Sequence, residues 1–164
     1  MRVKKEAVPE NAVRWIDESL ESLPNIHWYL EKTSGVQSYE AKFTKSDRRY
    51  SVEFSEDGSI EDIEYIARWK DLPKEVMNKL DSYFQNEYDR VKIHKIQVQY
   101  TGADSTLSRA LRKDDILSLT RRYEIEYYGK KNREKVFWEG LFDERGGLIE
   151  KREIIQRPVD NLNY

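Results

Sequence analysis

Two periods alternate along this chain. Val13, Ile16, Leu20 and Leu23 recur at helical spacing, with Trp15 flanking the stripe. Pro9 leads this segment, where its missing N–H and fixed φ do no harm. Pro24 follows Leu23 and pushes that residue away from α, so the pattern predicts a helix over about residues 10–22. A second segment copies the design: Pro73 leads, Val76, Leu80, Tyr83 and Phe84 follow, and the stripe fades near Tyr88.

After each helix the period drops to two. Ile26, Trp28 and Leu30 alternate with His27, Tyr29 and Glu31, the mark of a strand with one buried face. Ser34-Gly35 turns the chain into Tyr39, Ala41 and Phe43, and Tyr50, Val52 and Phe54 form a third run. Asp57-Gly58 tolerates the positive φ of a tight hairpin, and Ile60 to Trp69 makes a fourth strand. Beyond the second helix, Val91 to Tyr100 reads as a strand, as do Tyr123 to Tyr127, Val136 to Phe142 and Leu148 to Ile155. Glu144-Arg145-Gly146-Gly147 supplies the later hairpin turn, and Asp104-Ser105 can cap a short helix carrying Leu107 and Leu111.

The words repeat as well as the periods. YEAKF at Tyr39–Phe43 is answered by YEIEY at Tyr123–Tyr127, and each is followed by similar strand and turn residues. A repeated unit uses its partner to cover apolar surface. The expectation is therefore α+β: a tandem repeat of helix plus antiparallel β-meander, giving one sheet of about eight strands with two helices on one face. The single domain would span residues 8–158, as a first repeat 8–71 and a second repeat 72–158 interrupted by an insertion at 101–120, with 159–164 as a tail. Its expected core is Val13, Ile16, Leu20, Trp28, Phe43, Val52, Phe54, Leu80, Phe84, Ile125 and Trp138.

Composition narrows the partners. With 164 residues, 29 Lys plus Arg and 31 Asp plus Glu, the formal charge is −2, and the two signs are interspersed. Nucleic-acid binding would call for a basic excess on one face. Cysteine is absent, which excludes disulfides, thiolate metal sites and a cysteine nucleophile. No apolar run approaches the roughly 20 residues that span a bilayer, so no membrane insertion is expected.

Val8-Pro9, Pro24-Asn25, Trp28, Tyr39-Glu40-Ala41-Lys42-Phe43, Val52-Glu53-Phe54, Asp57-Gly58 and Leu72-Pro73 together resemble the PepSY-like family of β-lactamase-inhibitor-like proteins. The likeness runs from about Val8 to Arg157 and lies in helix starts, hairpin turns and strand alternation. It implies a protein exported to the periplasm or beyond, with a binding or inhibitory role exerted through a concave sheet. The chain departs from the family in its unequal copies and in carrying no apolar leader after MRVKK. Localisation is thus expected to be periplasmic or secreted if a leader has been removed, and cytoplasmic otherwise.

Candidate chemistry is sparse. His27 and His94 occupy matching places in the two copies, but nothing near them has ligand spacing. Glu56, Asp57, Glu61, Asp62 and Glu64 lack the loop of alternating oxygen ligands that calcium needs. The carboxylates alternate with apolar residues along strands, which points them to solvent. No cofactor, metal or catalytic constellation is expected, and the protein is read as no enzyme. Tyr128, Phe137 and Leu141 fall out of phase with Tyr127, Trp138 and Phe142 and should face away from the helices, with Tyr29 and Tyr65 extending the patch. Such a patch would hold a protein or peptide, or a second copy in a homodimer through the same face or the edge strands. The alternative is that the insertion or the tail (Leu162, Tyr164) covers it.

Overall fold

The structure is a computed structural model that describes residues 1–33 and 35–155. Its elements in chain order are β1 (Arg2–Val3), α1 (Glu10–Ser19), β2 (His27–Thr33), β3 (Val36–Lys45), β4 (Arg48–Ser55), β5 (Ile60–Ala67), α2 (Lys74–Glu87), β6 (Arg90–Thr101), α3 (Asp104–Lys113), β7 (Thr120–Lys131), β8 (Glu134–Phe142) and β9 (Leu148–Glu153). The strands neighbour one another in chain order across one open antiparallel sheet. Among the described residues nine strands stand where about eight were expected, because Arg2 and Val3 pair with Tyr29 and Trp28 as a short extra edge. Three α-helices of described residues, rather than two, accompany the sheet; the third is the short helix of the insertion.

The same local devices build both halves. Pro9 and Pro73 cap α1 and α2 at φ −54° and −55°, each after a single 3₁₀ turn (Lys5–Ala7 and Trp69–Asp71). In the β4–β5 turn the Asp57 carboxylate accepts from Ser55 Oγ and the Ser59 N–H; in the β8–β9 turn Asp143 accepts from the Arg145 and Gly147 N–H groups. These hydrogen bonds hold both aspartates below the usual carboxylate range. Gly58 and Gly146 take φ +81° and +88°, and both press against the start of a helix. A Cβ on Gly58 would collide with Asn11 Oδ1 and stand 2.7 Å from Pro9 Cβ, and one on Gly146 would lie 3.0 Å from the Val76 carbonyl oxygen.

The chain resolves into two compact units: residues 1–67 with 97–122, and residues 68–96 with those from 123 onward. The inserted residues 101–120 pack with the first unit. There α3 lies against α1 and β5, Trp15 Nε1 donates to Asp104 at 2.7 Å, and the Ser19 and Ser108 hydroxyls meet at 2.7 Å. The first unit's core joins Ile16 of α1 and Leu107 and Leu111 of α3 to Trp28, Ala41, Val52, Phe54 and Ile63 of the sheet. Phe54 lies 5.8 Å from both the Trp15 and the Trp28 ring, edge-on to the first and tilted to the second. The second unit's core sets Val76, Leu80 and Phe84 of α2 on Tyr123, Ile125, Tyr127 and Phe142. Fully burying each large apolar side chain contributes about 1.5–3 kcal/mol.

Two members of the expected core, Val13 and Trp138, are only half-buried. Trp138 pairs with Tyr127, so its face is as expected, but its ring takes the Lys151 ammonium at 4.6 Å instead of a helix. Leu23 is exposed, because α1 ends at Ser19 and Leu20 is already extended at ψ 126°.

Candidate functional site

Strand pairing decides which face each candidate occupies. In the second unit the Phe84 ring packs on Tyr127 at 4.9 Å and on Phe142 at 6.1 Å, so α2 covers the Tyr127 side of β7 and β8. Tyr128 pairs with Phe137 on the opposite side. Their rings stack at 4.4 Å with 16° between planes. Lys135 sets its ammonium over the Tyr128 ring at 4.5 Å, and the His94 ring meets Phe137 edge-on at 5.6 Å. A preorganised aromatic pair with a cationic rim is suited to gripping an apolar side chain of a partner.

Leu141 shares that side but not that cluster. It pairs with Glu124 and Glu150. The row between Leu141 and Phe137 is Glu126–Glu139–Arg152, tied by Arg152 to Glu139 at 2.5 Å and by Lys95 to Glu126 at 2.6 Å. The patch is therefore amphipathic, with an aromatic end and a leucine separated by ion pairs.

The first-unit candidates divide. Tyr29 lies on the face away from α1 and α3, in register with Glu40, and takes the Lys42 ammonium over its ring at 5.3 Å. Tyr65 is a correction. It pairs with Tyr50, which pairs with Phe43, so all three lie on the core face, and Tyr65 meets Tyr100 at 6.1 Å. Its phase in β5 matches that of Ile63, and the period of two carries it inward.

The helix-free face of this unit carries carboxylates that the sequence pattern sends to solvent. Glu40, Glu53 and Asp62 stand directly opposite one another on β3, β4 and β5. The next row runs His27, Lys42, Ser51, Glu64. Glu40 and Glu64 are 5% and 8% exposed. Glu40 Oε1 accepts from Ser51 Oγ and from Lys42 Nζ, the latter at 2.9 Å. Gln97 and Gln99 of β6 donate to Glu64 and Asp62 at 2.6 and 3.2 Å. Burial, then the charges of Glu40, Asp62, Glu64 and Glu31, push the Glu53 carboxyl up to about 9. The signal available in sequence was the register: the turns at Ser46-Asp47 and Asp57-Gly58 place Glu40, Glu53 and Asp62 side by side.

The histidines belong to different units. His27 Nδ1 sits 2.6 Å from the Arg2 guanidinium, and His94 lies 3.9 Å from Glu126. Among the described residues no cluster of three or more His, Asp or Glu side chains is arranged to hold a metal ion, and no helix is long and apolar enough to cross a membrane. The insertion helix packs within the first unit; Leu162 and Tyr164, the other candidates for covering the aromatic patch, lie outside the described residues.

An open antiparallel sheet with its helices interposed in this order is a BLIP-like fold. Solved structures share it. A DUF2874 family protein from Bacteroides ovatus ATCC 8483 superposes with TM-score 0.62 at 13% identity, over 90% of this chain and 88% of that one. A candidate periplasmic protein from Bacteroides eggerthii DSM 20697 gives 0.62 at 14% identity, over 90% and 89%. A BLIP-like protein from Bacteroides fragilis NCTC 9343 gives 0.57 at 12% identity, over 96% and 92%. At such identities the likeness is one of fold. No family profile and no curated protein matches the sequence.

Proposed function

We propose that this protein is a non-enzymatic, inhibitor-like binding module that holds a protein or peptide on its helix-free sheet face. The reading places it in the periplasm or outside the cell, in line with the description of the Bacteroides eggerthii neighbour as periplasmic. It also takes the chain as a duplicated helix-plus-meander unit of the PepSY-like kind, a view supported by the matching proline caps and aspartate turns.

The observation that carries the proposal is the stacked Tyr128–Phe137 pair on the side of β7 and β8 that α2 leaves uncovered. Affinity would rest on this pair, and Leu141 and the ionic row beside it would supply register. Phe137→Asp tests it, because that side chain is half-buried and outside the core. The variant should unfold at nearly the temperature of the unmodified protein yet lose the partners that protein captures from extracts of its own cells. Capture of the same partners by both would overturn the reading.

A second reading has one observation in its favour. Among the described residues β9 is the last strand of the sheet, with Ile149 48% exposed and Ile155 83% exposed just beyond it. An edge strand with exposed isoleucines favours pairing with a second copy. Light scattering that finds a monomer at high concentration would remove that reading.

A further inference from the structure

The helix-free face of β7 and β8 is ordered in rows, and one row carries charges that the strands themselves do not answer. Lys130 pairs with Lys135, so two cations stand directly opposite one another next to the Tyr128–Phe137 row. Like charges in that position destabilise a sheet. Both lysines are exposed, and neither ammonium makes a hydrogen bond or ion pair with a described residue; that of Lys135 rests over the Tyr128 ring instead. The next pair, Lys131 and Glu134, lies on the other side of the hairpin, where Lys131 meets Glu87 at 3.5 Å. Arg133, in the turn between the strands, adds a third positive charge to this end.

The row on the other side of the aromatic pair is different. There Glu126 and Glu139 are each matched, by Lys95 at 2.6 Å and Arg152 at 2.5 Å, so that row is neutral. The aromatic row itself is wider than two rings. Continuing the β8–β9 register by one residue sets Ile154 beside Phe137, and the Ile154 N–H donates to the Phe137 carbonyl at 2.8 Å. The face thus offers three apolar side chains in line, flanked on one side by unanswered cations. Rows on one face lie two residues apart along a strand, about 6.6–6.8 Å. Side chains i and i+2 of an extended peptide have the same spacing.

We infer that this face takes an extended segment of a partner protein in which one position separates an acidic residue from an aromatic or large aliphatic one. The inference rests on the reading of the Tyr128–Phe137 patch as a binding surface and names what that surface holds. The apolar side chain lies on the Tyr128, Phe137 and Ile154 row. The carboxylate lies between Lys130 and Lys135, where it accepts charge-assisted hydrogen bonds from both. The two contacts help each other: a carboxylate that draws Lys135 outward takes its ammonium off the Tyr128 ring and bares that ring for the apolar side chain. A basic residue in the same place would meet two ammonium groups, so the row also rejects wrong partners.

The test is an aromatic ¹H–¹³C NMR titration of the full chain at neutral pH, following the Tyr128 and Phe137 rings. Three probes are compared. The first is N-acetyl-Gly-Asp-Ser-Phe-Ser-Gly-amide, and the second is the same peptide with Lys in place of Asp. The third is the isomer N-acetyl-Gly-Ser-Asp-Phe-Ser-Gly-amide, whose acid points to the other side of an extended chain. The first should bind at least about fivefold more tightly than either of the others, and the gap should close as salt rises to about 1 M. Lys130→Glu combined with Lys135→Glu, both at exposed positions, should reverse the order of the Asp and Lys peptides while the unfolding temperature holds. Ring signals that respond equally to all three probes would overturn this inference and leave the aromatic patch standing as a binding surface. A charge-reversed variant that still prefers the Asp peptide would do the same. Rings that respond to no probe would overturn it too, and the patch falls with it only if Phe137→Asp also captures the partners of the unmodified protein.

Discussion

Replacing Glu53 by glutamine should make the protein more stable, and more so as the pH rises. In the fold this carboxyl is pushed up to about 9, first by burial and then by Glu40, Asp62, Glu64 and Glu31. In the unfolded chain it ionises near 4.5. Between those values the native state therefore binds a proton that the unfolded state has lost, and stability falls as pH rises. Each pH unit is worth at most about 1.4 kcal/mol, so the whole interval has a ceiling of about 6 kcal/mol. Glu53 is half-buried rather than sealed, and water access and relaxation bring the expected figure to about 2–3 kcal/mol. The glutamine cannot ionise, and its amide can donate to the Glu40 carboxylate directly opposite. Urea unfolding of both proteins at about pH 4.5, 6, 7.5 and 9 isolates the effect, because every other titrating group is common to the pair. With a slope near 2 kcal/mol per molar urea, the two midpoints should nearly coincide at the lowest pH and lie about 1 M apart at the highest. A difference that stays within about 0.5 kcal/mol across that range would refute the coupling of the carboxylate row.

Two further substitutions probe the frame. Gly58→Ala should cost about 1–3 kcal/mol in urea unfolding, since φ is +81° and the new Cβ would strike Asn11 and Pro9; Gly35→Ala, at φ +84° with open space around it, should cost about 1 kcal/mol. Equal losses would mean the turn does not brace α1. Leu107→Ala should cost about 2–5 kcal/mol, because Leu107 is fully buried although it belongs to the inserted segment, and a loss under about 1 kcal/mol would detach α3 from the first unit's core.

What the sequence disclosed follows from which forces act locally. Proline caps and a 3.6-residue stripe act within one turn of helix, so α1 and α2 were legible, and the misplaced end of α1 turned on a few residues before Pro24. Alternation is equally local, so β2 to β9 were legible in place and phase. The edge strand at Arg2–Val3 was not, because two residues carry no period and their partners lie at Trp28 and Tyr29. Tyr65, expected to extend the patch, shares the phase of Ile63, which faces the core. The side of Tyr128 and Phe137 was legible from phase; their stacking, and the ion pairs that set Leu141 apart, are products of register.

The buried carboxylates carry that reasoning one step further. Alternation assigns Glu40, Glu53, Asp62 and Glu64 to the polar face, and it is right about the face. It is silent about exposure, because exposure depends on the neighbours that the register supplies. Four carboxylates brought together, two of them nearly sealed, work against the stability of the sheet that holds them. The first unit's cations sit to the side, Arg2 at the β1 end of the row and Lys42 in the row beside it, whereas Arg152 stands directly opposite Glu139 in the second unit. Here local pattern and global energetics pull apart: the alternation fixes the face of each carboxylate, and the strand register fixes how deeply it is buried.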